Sequence, residues 1–178
     1  MKRALGFAFV ALAAAFGGYY GTLVAAPGFL MNKALERVTT QGPWNQFTHG
    51  PQVTAARQFV VRPSPDLLYS SCPFDLGAGP LEITATPVPG RYSSISVFDA
   101  QTNVAFVRND EQMAGRPMRV ILALAGQSVP ADAEVVRLDA PKGIVLQRVL
   151  LADPSEAAAV DPLRRAATCQ TLPPGAAR

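Results

Sequence analysis

The first thirty residues differ from the rest of the chain in their pattern of apolar and polar positions. Lys2 and Arg3 form a short positive segment, and no charged residue occurs between Ala4 and Met31. The stretch from Ala4 to Ala26 is rich in Ala, Leu, Val and Phe. Because roughly 20 apolar residues suffice for a membrane-spanning helix, residues 1–28 are predicted to be an N-terminal transmembrane anchor or signal segment.

The charges that flank this segment predict its orientation. By the positive-inside rule, Lys2 and Arg3 remain in the cytoplasm, and Lys33 and everything after it lie outside. A cleaved signal peptide, with Val24-Ala25-Ala26 before the cleavage site, is the alternative. The length of the apolar run favours the anchor, and both interpretations export the domain. We therefore predict a single-pass protein of a bacterial inner membrane, with its C-terminal domain in the periplasm.

A short amphipathic helix is predicted just after the apolar segment. Leu30, Ala34 and Val38 are spaced four residues apart, as on one face of a helix. This face is expected to pack on the domain, and Gln41-Gly42-Pro43 is expected to end the helix. Residues 29–43 are thus predicted to be a juxtamembrane helix and linker.

Beyond Pro43, short runs of β-forming residues separated by Gly and Pro predict a β-rich exported domain over residues 44–171. About eight strands at regular spacing are typical of a sandwich or a barrel-like domain. The predicted extended segments are Gln58–Arg62, Leu67–Ser71, Leu81–Thr86, Tyr92–Phe98, Val104–Val107, Met118–Ala125, Glu134–Leu138 and Ile144–Leu151.

The C-terminal part is predicted to be helical again. Ser155 is suited to cap a helix over Glu156–Val160, and Pro162 suits the first turn of a second helix that reaches Thr168. Residues 172–178 are predicted to form a disordered tail. The predicted fold class is therefore mainly β with short flanking helices, preceded by one N-terminal transmembrane helix.

The chain contains two cysteines, Cys72 and Cys169. In an oxidising compartment, two lone cysteines predict one disulfide bond. Two buried free thiols are the alternative interpretation. Because no CxxC spacing occurs and His49 is the only histidine, no metal site is predicted.

The distribution of charge and the search for known motifs limit the classes of function that the sequence supports. The formal net charge is +3, of which Lys2 and Arg3 supply two charges. The remaining sequence shows no basic stripe, so nucleic acid is not an expected partner. The sequence also lacks a GxSxG nucleophile motif, a Gly-rich phosphate loop and dinucleotide-binding glycines. No catalytic residue and no cofactor are predicted, and whether the protein is an enzyme stays open.

Polar residues concentrate around the first predicted strands. Candidates for binding an anionic or sugar-like ligand are His49, Arg62, Asp66, Tyr69, Arg91 and Asp99. The alternative is an internal network, because buried polar groups at strand ends must find partners. In such a network, Arg62 and Arg91 are expected to pair with Asp66, Asp75 or Asp99.

Motifs between residues 40 and 152 resemble those of a known family. They are Trp44-Asn45, His49, Val60–Ser71, Phe74–Leu76, Gly79–Leu81, Arg91–Asp99, Thr102-Asn103, Lys142–Leu146 and Arg148-Val149. Together they resemble the family called domain of unknown function 1254. The resemblance implies a β-rich fold without an established general activity. Residues Ser64–Leu67 differ from the Asn-Arg-Asp-Thr-like sequence that many family members carry at this place.

Longer members of that family carry a second β domain after this one, which this sequence does not include. We therefore hypothesise that a separate small β-domain protein supplies that half.

The sequence favours a membrane-anchored envelope protein that acts by association with a partner protein. Its motifs contain no complete catalytic constellation, which supports this hypothesis. The alternative is an envelope enzyme, or a binder of a carbohydrate-like or lipid-like ligand, that uses Asp66, Tyr69, Arg91 and His49.

Overall fold

The computed structural model describes residues 2–54 and 63–173. It begins with a 38-residue helix, α1 (Lys2–Thr39), which contains Pro27. Proline removes one backbone hydrogen bond from the interior of a helix, but α1 continues past it. The apolar segment and the predicted juxtamembrane helix therefore form one continuous helix.

The two halves of α1 differ in their surroundings. Large apolar side chains are exposed from Leu5 to Val24, and the helix is long and apolar enough to cross a membrane. Near its C-terminal end, Met31 and Leu35 are buried and pack against Ile144. Burial of such side chains contributes about 1.5–3 kcal/mol each. The C-terminal turns of α1 are thus packed on the domain, as their spacing predicts.

Nine strands and two short α-helices follow α1 in the described part of the chain. They are β1 (Thr48–His49), β2 (Leu67–Asp75), β3 (Leu81–Ala85), β4 (Ser93–Phe98), β5 (Val104–Asn109), α2 (Asp110–Met113), β6 (Met118–Leu124), β7 (Glu134–Leu138), β8 (Lys142–Leu150), α3 (Ala157–Arg165) and β9 (Thr168–Thr171). Two 3-10 turns, Leu76–Ala78 and Pro154–Glu156, precede β3 and α3.

The strands form two sheets that pack face to face. The five-stranded sheet has the order β1-β2-β8-β4-β5, and the four-stranded sheet has the order β7-β6-β3-β9. Neighbouring strands are antiparallel except for the parallel pair of β6 and β7. Alternate residues of both sheets, among them Phe74, Val97, Val145, Ile83 and Leu122, form the buried core between them. The predicted mainly β fold is confirmed.

A disulfide bond between Cys72 and Cys169 joins the two sheets. Cys72 lies in β2 of the five-stranded sheet, and Cys169 lies in β9 of the four-stranded sheet. Their Cα atoms are 6.6 Å apart, and both side chains are buried in the core. The bond ties the C-terminal strand to a strand 97 residues earlier in the chain.

The C-terminal region differs from its prediction in three respects. The carboxylate of Asp153, rather than Ser155, caps the first turn and accepts the N–H of Ser155 at 2.8 Å. Helix α3 runs through Pro162 instead of beginning there. Thr168, expected to end that second helix, instead begins β9, which pairs with β3. Tertiary pairing thus overrides the local helical preference.

Some expectations concern residues that the structure does not describe. The predicted extended segment Gln58–Arg62 lies outside the described residues, as do residues 174–178 of the predicted tail. Strand β1 was missed by the sequence reasoning, because two residues carry no periodic signal.

Replacement of both cysteines by alanine is expected to lower the free energy of unfolding by up to about 4–5 kcal/mol, since the unfolded chain loses its cross-link. Urea unfolding of the full chain in a neutral detergent, followed by the fluorescence of Trp44, measures this change. Dithiothreitol should lower the unfolding midpoint of the wild type and leave that of the double variant unchanged. An identical wild-type midpoint with and without reductant would contradict the prediction.

Candidate functional site

The predicted polar cluster does not converge on one site within the described residues. Arg62 lies outside them. Asp66 is exposed before β2, where its backbone carbonyl accepts the N–H of Leu151 at 2.8 Å. Asp99 follows β4 at the opposite end of the sheet. These two carboxylates therefore cannot act on the same small ligand.

Asp99 holds the hairpin between β4 and β5. Its carboxylate accepts the N–H of Gln101 at 2.8 Å and the N–H of Asn103 at 2.9 Å. Partial burial acts to raise the pKa of Asp99, but the hydrogen bonds from Asn103 and Gln101 outweigh it and lower that pKa. The contacts of Asp99 explain a well-formed turn rather than a binding site.

Arg91 pairs with Glu156, so its expected pairing with Asp66, Asp75 or Asp99 is wrong. Both terminal nitrogens of Arg91 donate to the Glu156 carboxylate, at 2.6 and 2.7 Å. The hydrogen bonds from Arg91 lower the pKa of Glu156. The sequence does not reveal this pair, because β8 brings the turn at Pro154–Glu156 beside the start of β4 only in the folded sheet.

Asp75, the other expected partner, is occupied locally. Its carboxylate accepts the N–H of Gly77 at 2.9 Å and lies 3.6 Å from the ammonium group of Lys142 on β8.

His49 lies in a different environment, beside the buried Arg164. The Nδ1 atom of His49 is 2.9 Å from Ser70 Oγ. Burial, and then the positive charge of Arg164 and Arg165, lower the pKa of His49. These effects favour the neutral form of the His49 ring, which is hydrogen-bonded to the buried Ser70. This arrangement is structural, and His49 is not part of the described lining of the cavity below, although its neighbours Thr48 and Gly50 are.

Arg164 is a structural residue that the sequence reasoning missed. Its side chain is 1% exposed, and its guanidinium donates to the carbonyls of Tyr69 at 2.7 Å and Gly50 at 3.0 Å, and to Asp161. It thereby fastens α3 to the edge of the five-stranded sheet. Asp161 at i and arginines at i+3 and i+4 are a helical ion-pair pattern, and that spacing was the available signal.

The outer face of the five-stranded sheet carries the remaining candidate. Residues directly opposite one another on antiparallel strands project from the same face, and here they form three rows across β2, β8 and β4. The first row is Pro73, Ile144 and Phe98, the second is Ser71, Leu146 and Ser96, and the third is Tyr69, Arg148 and Ser94. Successive rows are about 6–7 Å apart. The face thus changes from apolar to polar along the strands.

A cavity of about 510 Å³ lies between this face and the end of α1. Its described lining is largely apolar and includes Met31, Ala34, Val38, Phe98, Ile144 and Leu146. Lys33 and Arg37 of α1 add two positive charges, and Tyr69 and Ser71 add hydroxyl groups. No Asp or Glu occurs among the lining residues that the structure describes. This size and this mixture of side chains are typical of small-molecule sites.

Tyr69 is the one predicted site residue among the described lining of the cavity. Its hydroxyl group accepts the backbone N–H of Ser64 at 3.0 Å. The sequence reasoning missed the cavity as a whole, since its walls come from α1 and three strands that are distant in sequence. The stripe of Ala34 and Val38 on α1 was the only local signal.

A solved structure supports the fold. The VPA0106 protein from Vibrio parahaemolyticus is similar with a TM-score of 0.63 at 18% identity, over 84% of this chain and 37% of that chain. A putative uncharacterized protein from Burkholderia cenocepacia has a TM-score of 0.43 at 15% identity, over 80% of this chain and 47% of that one. The chain thus spans less than half the length of either protein. No curated protein matches the sequence.

A family model also matches the chain. Residues 44–171, which contain all nine described strands, match the model of the family whose description is "Protein of unknown function (DUF1254)". This range is well over half of the 178 residues, and it agrees with the motifs around Tyr69 and Arg91. The chain therefore belongs to the DUF1254 family of proteins of unknown function.

Proposed function

We propose that this protein is a membrane-anchored envelope protein whose domain binds a lipid-like molecule in the cavity between α1 and the five-stranded sheet. The observation that carries the proposal is the position of the cavity. Its apolar walls begin at Met31 of the same helix whose preceding turns are long and apolar enough to cross a membrane. A lipid-like molecule would therefore find an apolar site close to the bilayer.

The dimensions of α1 support this placement. The 20 residues from Leu5 to Val24 span about 30 Å as a helix, which equals the thickness of a bilayer's hydrocarbon core. Gly28 then meets the tip of the β4–β5 hairpin, where a Cβ on Gly28 would lie 3.2 Å from Gln101 Nε2. The hairpin tip would thus lie at the level of the lipid headgroups. The cavity would begin one helical turn farther from the bilayer.

The disulfide bond and the flanking charges support export. Disulfide bonds persist in oxidising compartments such as the bacterial periplasm, and Cys72 and Cys169 are bonded. Lys2 and Arg3 precede the apolar segment and favour a cytoplasmic N-terminus. Both observations support a domain on the periplasmic side of the inner membrane.

The lining of the cavity favours a lipid-like ligand over a carbohydrate-like one. Sugar sites need many hydrogen-bonding side chains, whereas Ala34, Val38, Ile144 and Leu146 offer only apolar surface. The polar candidates Arg91 and Asp99 are engaged in structural contacts elsewhere. The binding function therefore rests on the cavity rather than on the predicted polar cluster.

The anchor predicts a specific behaviour in cells. The full chain should stay in the membrane fraction after alkaline carbonate extraction and keep its N-terminal residues by intact-mass measurement. In spheroplasts, added protease should digest the domain, and Cys72 and Cys169 should react with maleimide only after reduction.

Replacement of Phe9 and Leu12 by arginine should release the chain from the membrane fraction, because charged side chains at the centre of a span are costly. Recovery of a chain shortened after Ala26 would contradict the anchor and support a cleaved signal.

Ligand binding predicts a change in thermal stability. A long-chain amphiphile at about a hundredfold excess over its Kd should raise the Tm of the full chain by roughly 5–10 °C. The chain is measured in nanodiscs of zwitterionic lipid, against a panel that also contains oligosaccharides. Ala34→Phe should abolish the shift, because its ring would occupy the cavity.

Asn32→Phe is the matched control, since Asn32 is an exposed residue of α1 outside the described lining. This variant should keep the full ligand-induced shift. A shift with oligosaccharides alone, or a shift that survives Ala34→Phe, would contradict lipid binding in this cavity.

Association with a partner protein is the second candidate function. The observation that favours it is the edge strand β5, on which Val104 and Val107 are 57% and 50% exposed. Edge strands offer unpaired backbone groups to a second β-rich protein. The occupant we propose is the separate small β-domain protein expected from the family resemblance.

Mild-detergent extraction of the tagged full chain, followed by size-exclusion chromatography and mass spectrometry, tests this candidate. A small β-rich exported protein should co-migrate in stoichiometric amount and be lost in Val107→Lys. Leu163→Lys, which changes an equally exposed apolar residue on α3, should retain it. Recovery of the chain alone as a folded monomer would contradict the partner hypothesis.

A further inference from the structure

Arg148 projects from the same sheet face that forms the floor of the cavity. On β8 it lies directly between Tyr69 of β2 and Ser94 of β4. Its Nη2 atom donates to Ser96 Oγ at 3.3 Å. Tyr69, which lies opposite Arg148, and Leu146, which lies opposite Ser96, both line the cavity, whereas Arg148, Ser94 and Ser96 are not part of its described lining. Arg148 therefore lies one row beyond Leu146, next to the polar end of the cavity.

Arg148 differs from other partly buried arginines in its lack of a carboxylate partner. Arg91 and Arg108 each make two short hydrogen bonds to a glutamate. Among the described residues, no ion pair involves Arg148, and its Nε is buried without a hydrogen-bond partner. A buried charged donor without a partner is costly. The folded protein thus keeps a guanidinium ready for an acceptor.

Two neighbouring serines are buried beside Arg148, and one of them also lacks a hydrogen-bond partner. Ser94 is 1% exposed and Ser96 is 2% exposed, so both hydroxyl groups are removed from solvent. The Oγ atom of Ser94 has no hydrogen-bond partner, although buried hydroxyl groups are nearly always bonded. Three polar side chains, Arg148, Ser94 and Ser96, therefore lie close together on the same face of two adjacent strands. Two of them have unfilled hydrogen-bonding capacity.

The charged residues that line the cavity indicate which kind of ligand group would accept hydrogen bonds from Arg148. Lys33 and Arg37 line the helix side, and no acidic residue occurs in the described lining. Lys33 is paired with the exposed Glu36, whereas Arg37 makes no ion pair with a described residue. A carboxylate or phosphate would accept two hydrogen bonds from a guanidinium in its planar geometry. An anion therefore complements the charge of the described lining and of the neighbouring Arg148.

We propose that the cavity binds a single-chain amphiphile with an acidic headgroup, and that Arg148, with Ser94 and Ser96, binds that headgroup. This proposal rests on the proposed lipid-binding function and adds the headgroup chemistry. The apolar chain lies along Leu146 and Ile144 under α1. A volume of about 510 Å³ suits one acyl chain better than a whole diacyl lipid.

Photocrosslinking with four probes tests the headgroup. The full chain in phosphatidylcholine nanodiscs is exposed to diazirine-labelled hexadecanoate, hexadecyl phosphate, hexadecanol and an acidic diacyl phospholipid. The crosslinked peptides are identified by mass spectrometry. The two acidic single-chain probes should label peptides that contain Ala34 or Leu146 at concentrations about tenfold or more below those that hexadecanol needs. Stronger labelling by hexadecanoate identifies a fatty acid, and stronger labelling by hexadecyl phosphate identifies a phosphate-bearing lipid.

Arg148→Met tests the residue itself, since methionine retains an unbranched apolar stem without the charge. This variant should label equally with acid and alcohol, and Arg148→Lys should restore part of the preference. Arg116→Met, which removes an exposed arginine far along the chain from β8, should retain the full preference. An unchanged preference for acid in Arg148→Met would overturn the role of Arg148. Should Arg148→Met fail to fold, Ser94→Ala takes its place, and an unchanged preference in that variant would overturn the assigned headgroup site.

The outcomes separate this proposal from the one on which it rests. Equal labelling of the cavity by acid and alcohol in the wild type would overturn the acidic headgroup and leave lipid binding intact. Stronger labelling by the diacyl phospholipid would overturn the single-chain ligand. If no probe labels the cavity peptides, both proposals fail.

Discussion

The contact of Met31 and Leu35 with Ile144 is the constraint on which the candidate site depends. It fixes the last turns of α1 against the first row of the outer sheet face. Because α1 is continuous from Lys2 to Thr39, the same contact also fixes the direction of its exposed apolar half. The cavity lies beside this contact and shares Met31 and Ile144 with it. Loss of the contact would therefore separate the helix from the domain and remove one wall of the cavity.

Strand β2 serves both layers of the structure through alternation of its side chains. Cys72 and Phe74 face the core, where Cys72 is bonded to Cys169 of the other sheet. Tyr69 and Ser71 face outward and line the cavity. Since successive residues of a strand project to opposite faces, the disulfide bond holds the floor of the cavity from behind. Arg164 holds the same strand at its edge through the carbonyl of Tyr69.

Sequence reasoning succeeded where a single segment carries the signal. The apolar run before Lys33 and the alternation over Leu81–Ala85 each reveal one element by its own periodicity. It failed where the partner is distant: Arg91 bonds to Glu156, 65 residues away, and β9 exists because β3 is beside it. The cavity is also a feature that depends on residues distant in sequence. Its apolar and polar walls are contributed by segments whose adjacency the sequence pattern does not encode.

The order of the three rows gives the site a direction. Phe98 lies next to the hairpin that meets α1 at Gly28, and Ser96 and Ser94 follow at increasing distance from that hairpin. If α1 crosses the bilayer as proposed, the apolar row is nearest to the membrane and Arg148 is farthest from it. A lipid in the outer leaflet of the inner membrane has the same polarity, with its tail inward and its headgroup outward. An amphiphile could therefore move from the leaflet into the cavity along its long axis without reversing its orientation. Only its acidic group would need to exchange its bound water for the guanidinium of Arg148. The charge of the headgroup would therefore decide which amphiphiles bind.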